Sequence, residues 1–328
     1  MEQKFKEKNF FMYKFLNDCL PIYSLYAILF KEKGLSLTEI SLLLSFWSFI
    51  ALISEVPSGI LADRWNRKHM LYLATALKAA CYMIWCFSNG FIMFAAGFLF
   101  WGISGAFRSG TEEGLIYDNL KSEGREDAFI KIYGKGRFYE SMGNVIGITS
   151  GGVLAYFLKI NIISVISAGI LIVNIFFISG LREKNYYSDK LKNKRVGYFK
   201  TLFEAAKLCA KNQEVLLGLA LLVFITGVIS FSDEYDSLII NDFRLAYIWI
   251  SVIYGARFTF IALGNHFAGA IKEKIKSKNN LFILSFAASL FLLLFSVIWN
   301  KYGIIALGLG CMIMTAAEVI QINFIQDE

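Results

Sequence analysis

The chain has 328 residues, of which 56% are hydrophobic, 31 are phenylalanine and two are proline, and its mean hydropathy is +0.53. So apolar a composition at this length excludes a soluble globular domain and points to packed membrane helices. The formal charge of +7 does not mark a nucleic-acid surface, because the basic residues cluster in short segments between apolar runs, which is a topology signal.

Met1 to Asn9 is a charged head with Lys4, Lys6 and Lys8. The apolar run 10–30 behind it is not a signal peptide, since Asn17, Asp18 and Pro21 interrupt it and no small-residue cleavage site follows. A membrane-spanning helix needs about 20 mostly apolar residues. On that rule ten spans are predicted, at 10–30, 37–62, 70–88, 91–118, 130–158, 161–180, 213–232, 246–271, 280–299 and 302–325. The odd-numbered gaps carry little positive charge. The even-numbered gaps hold Arg64, Arg67 and Lys68; Lys121 and Arg125; the segment from Arg182 to Lys211; and Lys272, Lys274, Lys276 and Lys278. This alternation places the amino terminus and every even gap in the cytoplasm, in a multi-pass protein of the cytoplasmic membrane.

The gap after the sixth span divides the chain into residues 1–180, a cytoplasmic linker 181–212 and residues 213–328. An amphipathic helix is expected in the linker around Gly197 to Ala210. The five cysteines have no metal-ligand spacing, His69 and His266 are isolated, and no nucleotide-binding loop occurs, so neither a metal, a cofactor nor ATP drive is expected.

Ionisable residues inside a membrane are costly, and each is a candidate functional site. Asp18 lies near the middle of the first span with Lys14 one turn earlier, and a carboxyl group there could exchange a proton near neutral pH. Glu55 sits two turns from the inner end of the second span, before Pro57. The fourth span carries Arg108 and Glu112, four apart and able to pair, with Glu113 about 100° round the helix and Asp118 near the inner end. The fifth adds Arg137 and Glu140 on one face, and equal depth suggests a pair between Arg137 and Glu112. These charges serve either a structural network or transport. Asp233, Glu234 and Asp236 are expected to close the seventh span at the outer surface, mostly solvated, with Glu234 at a cavity mouth. Arg257 in the eighth span needs an acidic partner, and Glu318 in the tenth is expected to face a cavity.

Glu55 to Lys68 joins the second and third spans. Gly59 would admit a close neighbouring helix, and Asp63 and Arg67 could pair across a turn. Gly59, Asp63, Arg64, Arg67 and Lys68 stand at the spacing of the signature loop of the major facilitator superfamily, which this stretch resembles. Asn66 replaces a family glycine and can also reach the left-handed conformation a sharp turn needs. In the fifth span, Gly136, Gly143, Gly147, Gly151 and Gly152 resemble the glycine motif of antiporters in that family, with Ile148 in place of its proline. The family's arginine in the fourth span is Phe98 here, so coupling through that position is absent.

The resemblance implies an all-α membrane protein with a six-helix first lobe and, here, an incomplete four-helix second lobe. A fragment lacking helices 11 and 12 is preferred over a natural short form. It further implies a secondary transporter, not an enzyme, working by alternating access on a small-molecule substrate. The glycine motif and signature loop look most like proton-antiporting bacterial exporters of drug-like or lipophilic cationic compounds, with protons and the lipid bilayer as partners and a monomeric state. Uptake or export of a metabolite is the alternative. A membrane-embedded lipid-modifying enzyme is a second, for which Asp233-Glu-Tyr-Asp236 is the nearest motif.

Overall fold

The computed structural model describes residues 5–183, 227, 233–274, 278–298, 300 and 302–326. Within it the side chains of Asp63, Arg64, Glu318 and 265–282 lie outside the described part, as do the span expected at 213–232 and the amphipathic helix expected at 197–210. Among the described residues the chain is helical, with no strand. It divides into two compact units, Met1–Arg195 and Val196–Glu328.

In the first unit, α1 (Glu7–Asp18) and α2 (Tyr26–Glu32) flank a short 3-10 turn, Pro21–Ser24. They are followed by α3 (Leu37–Arg64), α4 (Arg67–Phe87), α5 (Phe91–Arg108), α6 (Thr111–Ser122), α7 (Phe129–Phe157) and α8 (Ile160–Ser179). Among the described residues, four stretches are long and apolar enough to cross a membrane: Leu37–Glu55, Arg67–Phe87, Phe91–Ser122 and Ile160–Ser179. Large apolar side chains such as Leu52, Ile172 and Phe176 stand exposed on these helices, as a lipid-facing surface requires.

The first and fourth spans, expected to be continuous, are both interrupted. Pro21 has no N–H to continue a helical ladder, and α1 stops at Asp18. The freed Ile22 N–H is satisfied by a neighbouring helix, the condition for irregular backbone at membrane depth. Ile22 N–H donates to Ser167 Oγ (3.1 Å), and Ser24 Oγ donates to the carbonyl of Ile148 (3.1 Å). The fourth span breaks between Arg108 and Thr111, where Gly110 takes a φ of +67° that suits a residue without Cβ.

The glycines of α7 explain how the first break is held. A Cβ on Gly143, Gly147 or Gly151 would run into the backbone of Phe15, Cys19 and Leu20, or Pro21 respectively. α7 therefore lies directly against the interrupted first span, backbone to backbone. Gly136 in the same way faces the ring of Phe10. Towards the other end, Tyr26, Phe30, Trp85, Phe94 and Phe98 are buried and pack ring on ring, with centroids 4.3–6.3 Å apart. Phe98, at the family's arginine position, is part of that apolar plug.

The turn between α3 and α4 differs from expectation. Asp63 and Arg64 end α3, while Arg67 and Lys68 begin α4. Asn66 is extended (φ −64°, ψ 118°) rather than left-handed, because its side chain caps α4 by accepting the His69 N–H at 3.2 Å. Gly59 has nothing within 4 Å of a Cβ placed there, so among the described residues no helix packs closely on it. α3 runs on through Pro57.

The second unit contains a helical stretch over 233–242, then α9 (Tyr247–Lys274), α10 (Lys278–Val297) and α11 (Ile304–Gln326). α11 packs against both α9 and α10. Phe295, Ala306, Leu307 and Cys311 form its core, with Ile239 and Phe243 packed on them.

Candidate functional site

At the two breaks of the first unit, charged side chains from five helices converge. Lys14, Lys78, Asp18 and Glu112 are 2%, 6%, 8% and 6% exposed, so they are charges inside the protein, not on its surface. Asp18, at the last residue of α1, has Arg108 Nη1 3.3 Å from Oδ2 and Lys78 Nζ 4.0 Å from Oδ1. Asn17 Nδ2 and the Tyr23 hydroxyl also donate to it, at 3.0 and 3.1 Å. The carboxyl group that the sequence set one turn from Lys14 is thus enclosed by two other cations and two neutral donors. Lys78 in turn donates to the Tyr23 hydroxyl and to the Asn17 carbonyl, the latter at 3.3 Å.

Lys14 is the second node. Its ammonium pairs with Glu112 and with Glu140, the latter at 2.9 Å, and the Tyr13 hydroxyl donates to Glu112 at 3.2 Å. Arg108 links the nodes by reaching Glu140 Oε1 at 3.5 Å. Arg137 pairs with Glu140 on its own helix (2.8 Å) and is largely exposed, while Tyr133 donates to Glu113 at 2.6 Å.

Two pairings expected from spacing are thus corrected. Arg108 and Glu112 do not form a one-turn pair, because the break at Gly110 lies between them and the helix geometry that would join them is lost. Glu112 meets Lys14 of α1, not Arg137. Beside these residues is a cavity of about 180 Å³ whose lining includes Lys14, Arg108, Glu112, Glu113, Arg137 and Glu140. Glu55, by contrast, is exposed on α3.

A second set of charges fixes the turn between α3 and α4. Arg67 Nη1 lies 2.6 Å from Asp118 Oδ2, over Gly114, where a Cβ would meet the guanidinium at 2.6 Å. Lys68 Nζ donates to the Ser179 carbonyl at 2.6 Å, and its backbone N–H donates to Glu183 Oε2 at 3.3 Å. The signature-loop cations therefore tie α4 to α6 and to the end of α8. Burial pushes the Glu183 carboxyl above its ordinary range, against the Lys68 and Arg67 backbone N–H groups that favour its charge.

In the second unit, the acids expected to be solvated at the outer end are not so placed. Residues 233–242 are themselves helical, and Asp236 lies on the buried side of that stretch. Asp236 is fully buried, its Oδ2 2.9 Å from Arg257 Nε, and Arg257 also contacts Asp233. These are the partners that the sequence left unassigned for Arg257.

A family model described as Major Facilitator Superfamily matches residues 10–327. The chain belongs to that superfamily. No curated protein sequence matches it. Among solved structures, the nucleoside transporter NupG aligns at a TM-score of 0.75 with 14% identity, over 96% of this chain and 80% of its own. A bacterial homologue of the human lysosomal transporter Spinster, inward-facing and unoccupied, gives 0.70 and 13%, over 96% and 72%. A D-xylose–proton symporter gives 0.63 and 12%, over 95% and 78%. At such identities the likeness is one of fold. The chain is an all-α membrane protein of the superfamily's transporter fold, and its family is one of transporters, not enzymes.

Sequence reading missed Lys78, Tyr23 and Tyr13 as members of this site. Lys78 was detectable: it is a lone lysine in the otherwise apolar run 70–87, and a cation at that depth requires an acid.

Proposed function

We propose that this superfamily member is a secondary transporter of a small, polar metabolite, moved by alternating access. The observation that carries the reading is the cavity at the two breaks, where Lys14, Arg108 and Arg137 stand against Glu112, Glu113 and Glu140. Three cations matched by three acids suit a substrate that is zwitterionic or neutral with several hydrogen-bonding groups, since a lipophilic ion would find no apolar wall there. Asp18, shared by Lys78 and Arg108, and Glu112 and Glu140, shared around Lys14, are the acids through which a proton could be exchanged for substrate.

A second reading, proton-driven export of lipophilic cations, is supported by the glycine stripe of α7 and its likeness to the antiporter motif. Transport into proteoliposomes with an imposed pH gradient separates the two. Accumulation of a labelled nucleoside, sugar or amino acid, with ethidium ignored, supports the first. Ethidium movement alone supports the second.

A further inference from the structure

We infer that the cavity at the two breaks of the first unit takes a small zwitterion, an α-amino acid. Its carboxylate would sit on Arg108 and Arg137 and its ammonium on Glu113. This rests on the reading of that cavity as the substrate site, and it narrows that reading from polar molecules in general to doubly charged ones.

The charges around the cavity balance in number but not in place. Among the described residues, Lys14, Lys78, Arg108 and Arg137 share three acids, Asp18, Glu112 and Glu140, in one connected set of ion pairs. That set carries one positive charge in excess. Glu113 stands outside it: it accepts the Tyr133 hydroxyl at 2.6 Å and pairs with no cation among the described residues. The cavity therefore has a positive and a negative side, both lining the same space.

Glu140 shows where the positive excess lies. Its carboxylate meets Arg137 at 2.8 Å and Lys14 at 2.9 Å through Oε2, and Arg108 at 3.5 Å through Oε1. Lys14 is enclosed, but the side chains of Arg108 and Arg137 are 33% and 62% exposed. Among the described residues, every ion pair of these two arginines uses Nη1. Nη2 and Nε of each are left to receive a carboxylate, which guanidinium groups hold through paired N–H donors. Glu113 is exposed too and offers an ammonium the matching charge-assisted bond. A lone anion or a lone cation answers one side only, and a neutral polyol answers neither.

Size and lining restrict the zwitterion further. A cavity of about 150 Å³ takes benzene, so about 180 Å³ suits a molecule of similar size such as serine. No alanine, valine, leucine or isoleucine lines it among the described residues, which favours a small polar side chain over an aliphatic one.

The test is calorimetric binding of L-serine to the purified full chain in detergent. The comparators are ethanolamine, which lacks only the carboxylate, 3-hydroxypropionate, which lacks only the ammonium, and glycerol. L-Serine is expected to bind saturably and at least about tenfold more tightly than each, since a charge-assisted hydrogen bond at one end accounts for such a factor. Arg137→Gln should weaken L-serine and abolish its advantage over ethanolamine. Glu113→Gln should weaken L-serine and abolish its advantage over 3-hydroxypropionate. The inference is overturned if wild-type protein does not bind L-serine saturably, if any comparator binds as well, or if either variant binds L-serine unchanged. The wild-type comparison stands whether or not the variants fold. Transport of a sugar or nucleoside by a protein that ignores L-serine would overturn this inference and keep the metabolite reading. Ethidium movement alone, beside intact selectivity for L-serine, would do the reverse.

Discussion

Arg108 reaches Asp18 across two interrupted helices, Nη1 to Oδ2 at 3.3 Å. Each residue is the last of its helix, α5 and α1, so the ion pair exists only because both spans break at the same level. Lys78 stands on the other oxygen of the same carboxylate. Removing the charge of Asp18 leaves buried Lys78 near Arg108 without the anion they share, and orphaning one member of a buried pair costs about 3–5 kcal/mol. Asp18→Asn is therefore expected to lower the melting temperature of the purified protein clearly. Asp18→Asn combined with Lys78→Met should recover part of that loss. A single variant that melts like wild type would show that the pair contributes nothing to stability.

The stripe on α7 and the lone Gly59 on α3 make opposite predictions. At Gly147 a Cβ meets backbone atoms of Cys19 and Leu20, which cannot rotate away, so Gly147→Ala must push α7 off the first span. Overpacking of this kind costs about 1–3 kcal/mol. At Gly59 there is open space, and replacing a helical glycine by alanine gains up to about 1 kcal/mol. Thermal unfolding of the two variants side by side checks this, with Gly147→Ala expected below wild type and Gly59→Ala at or above it.

The helices and their order were legible in the sequence because hydropathy and the placement of Lys and Arg are local properties. Helix ends at 64, 87, 157 and 179 fall within two residues of the expected span ends at 62, 88, 158 and 180. The breaks were harder to read. Pro21 and Gly110 were visible, but whether a proline or glycine ends a helix depends on what satisfies the freed backbone, here Ser167 for the Ile22 N–H, 145 residues away. For the same reason the ion pairs were mispaired. Spacing along one helix suggested Arg108 with Glu112, while the break turned Arg108 towards α1. The role of Lys78 was hidden because its acid lies 60 residues earlier, and Asp236 was misplaced because residues 233–242, expected beyond the seventh span, are helical.

The Arg67–Asp118 pair lends itself to a charge swap. Arg67 and Asp118 lie 2.6 Å apart, with Asp118 2% and Arg67 18% exposed at the side chain, so reversing one charge sets like charges together in a poorly hydrated place. Arg67→Glu should reduce the yield of folded protein, and Asp118→Arg should do the same. The double variant should restore folding, since the gap over Gly114 takes a guanidinium from either side only if the pair itself is what matters. Monodispersity in detergent by size-exclusion chromatography is the measurement, and failure of the double variant to improve on the singles would remove the pair as the cause.

Glu183 gives a pH dependence whose sign is fixed by its surroundings. Burial raises its folded-state pKa above the ordinary carboxylate value, Oε2 accepts the Lys68 N–H, and Oε1 has no hydrogen-bond partner. The folded protein thus prefers the protonated acid more than the unfolded chain does. The resulting stabilisation is fully present below the unfolded value of about 4.3 and is lost as pH rises through the raised folded value. Glu183→Gln keeps the uncharged form at every pH. It should melt close to wild type at pH 4 and slightly above it at pH 7.5, with the gain kept small because the side chain is only half-buried and solvent screens the penalty. A variant that melts below wild type at pH 7.5 would mean that the charge of Glu183, through Lys68 and Arg67, outweighs its burial.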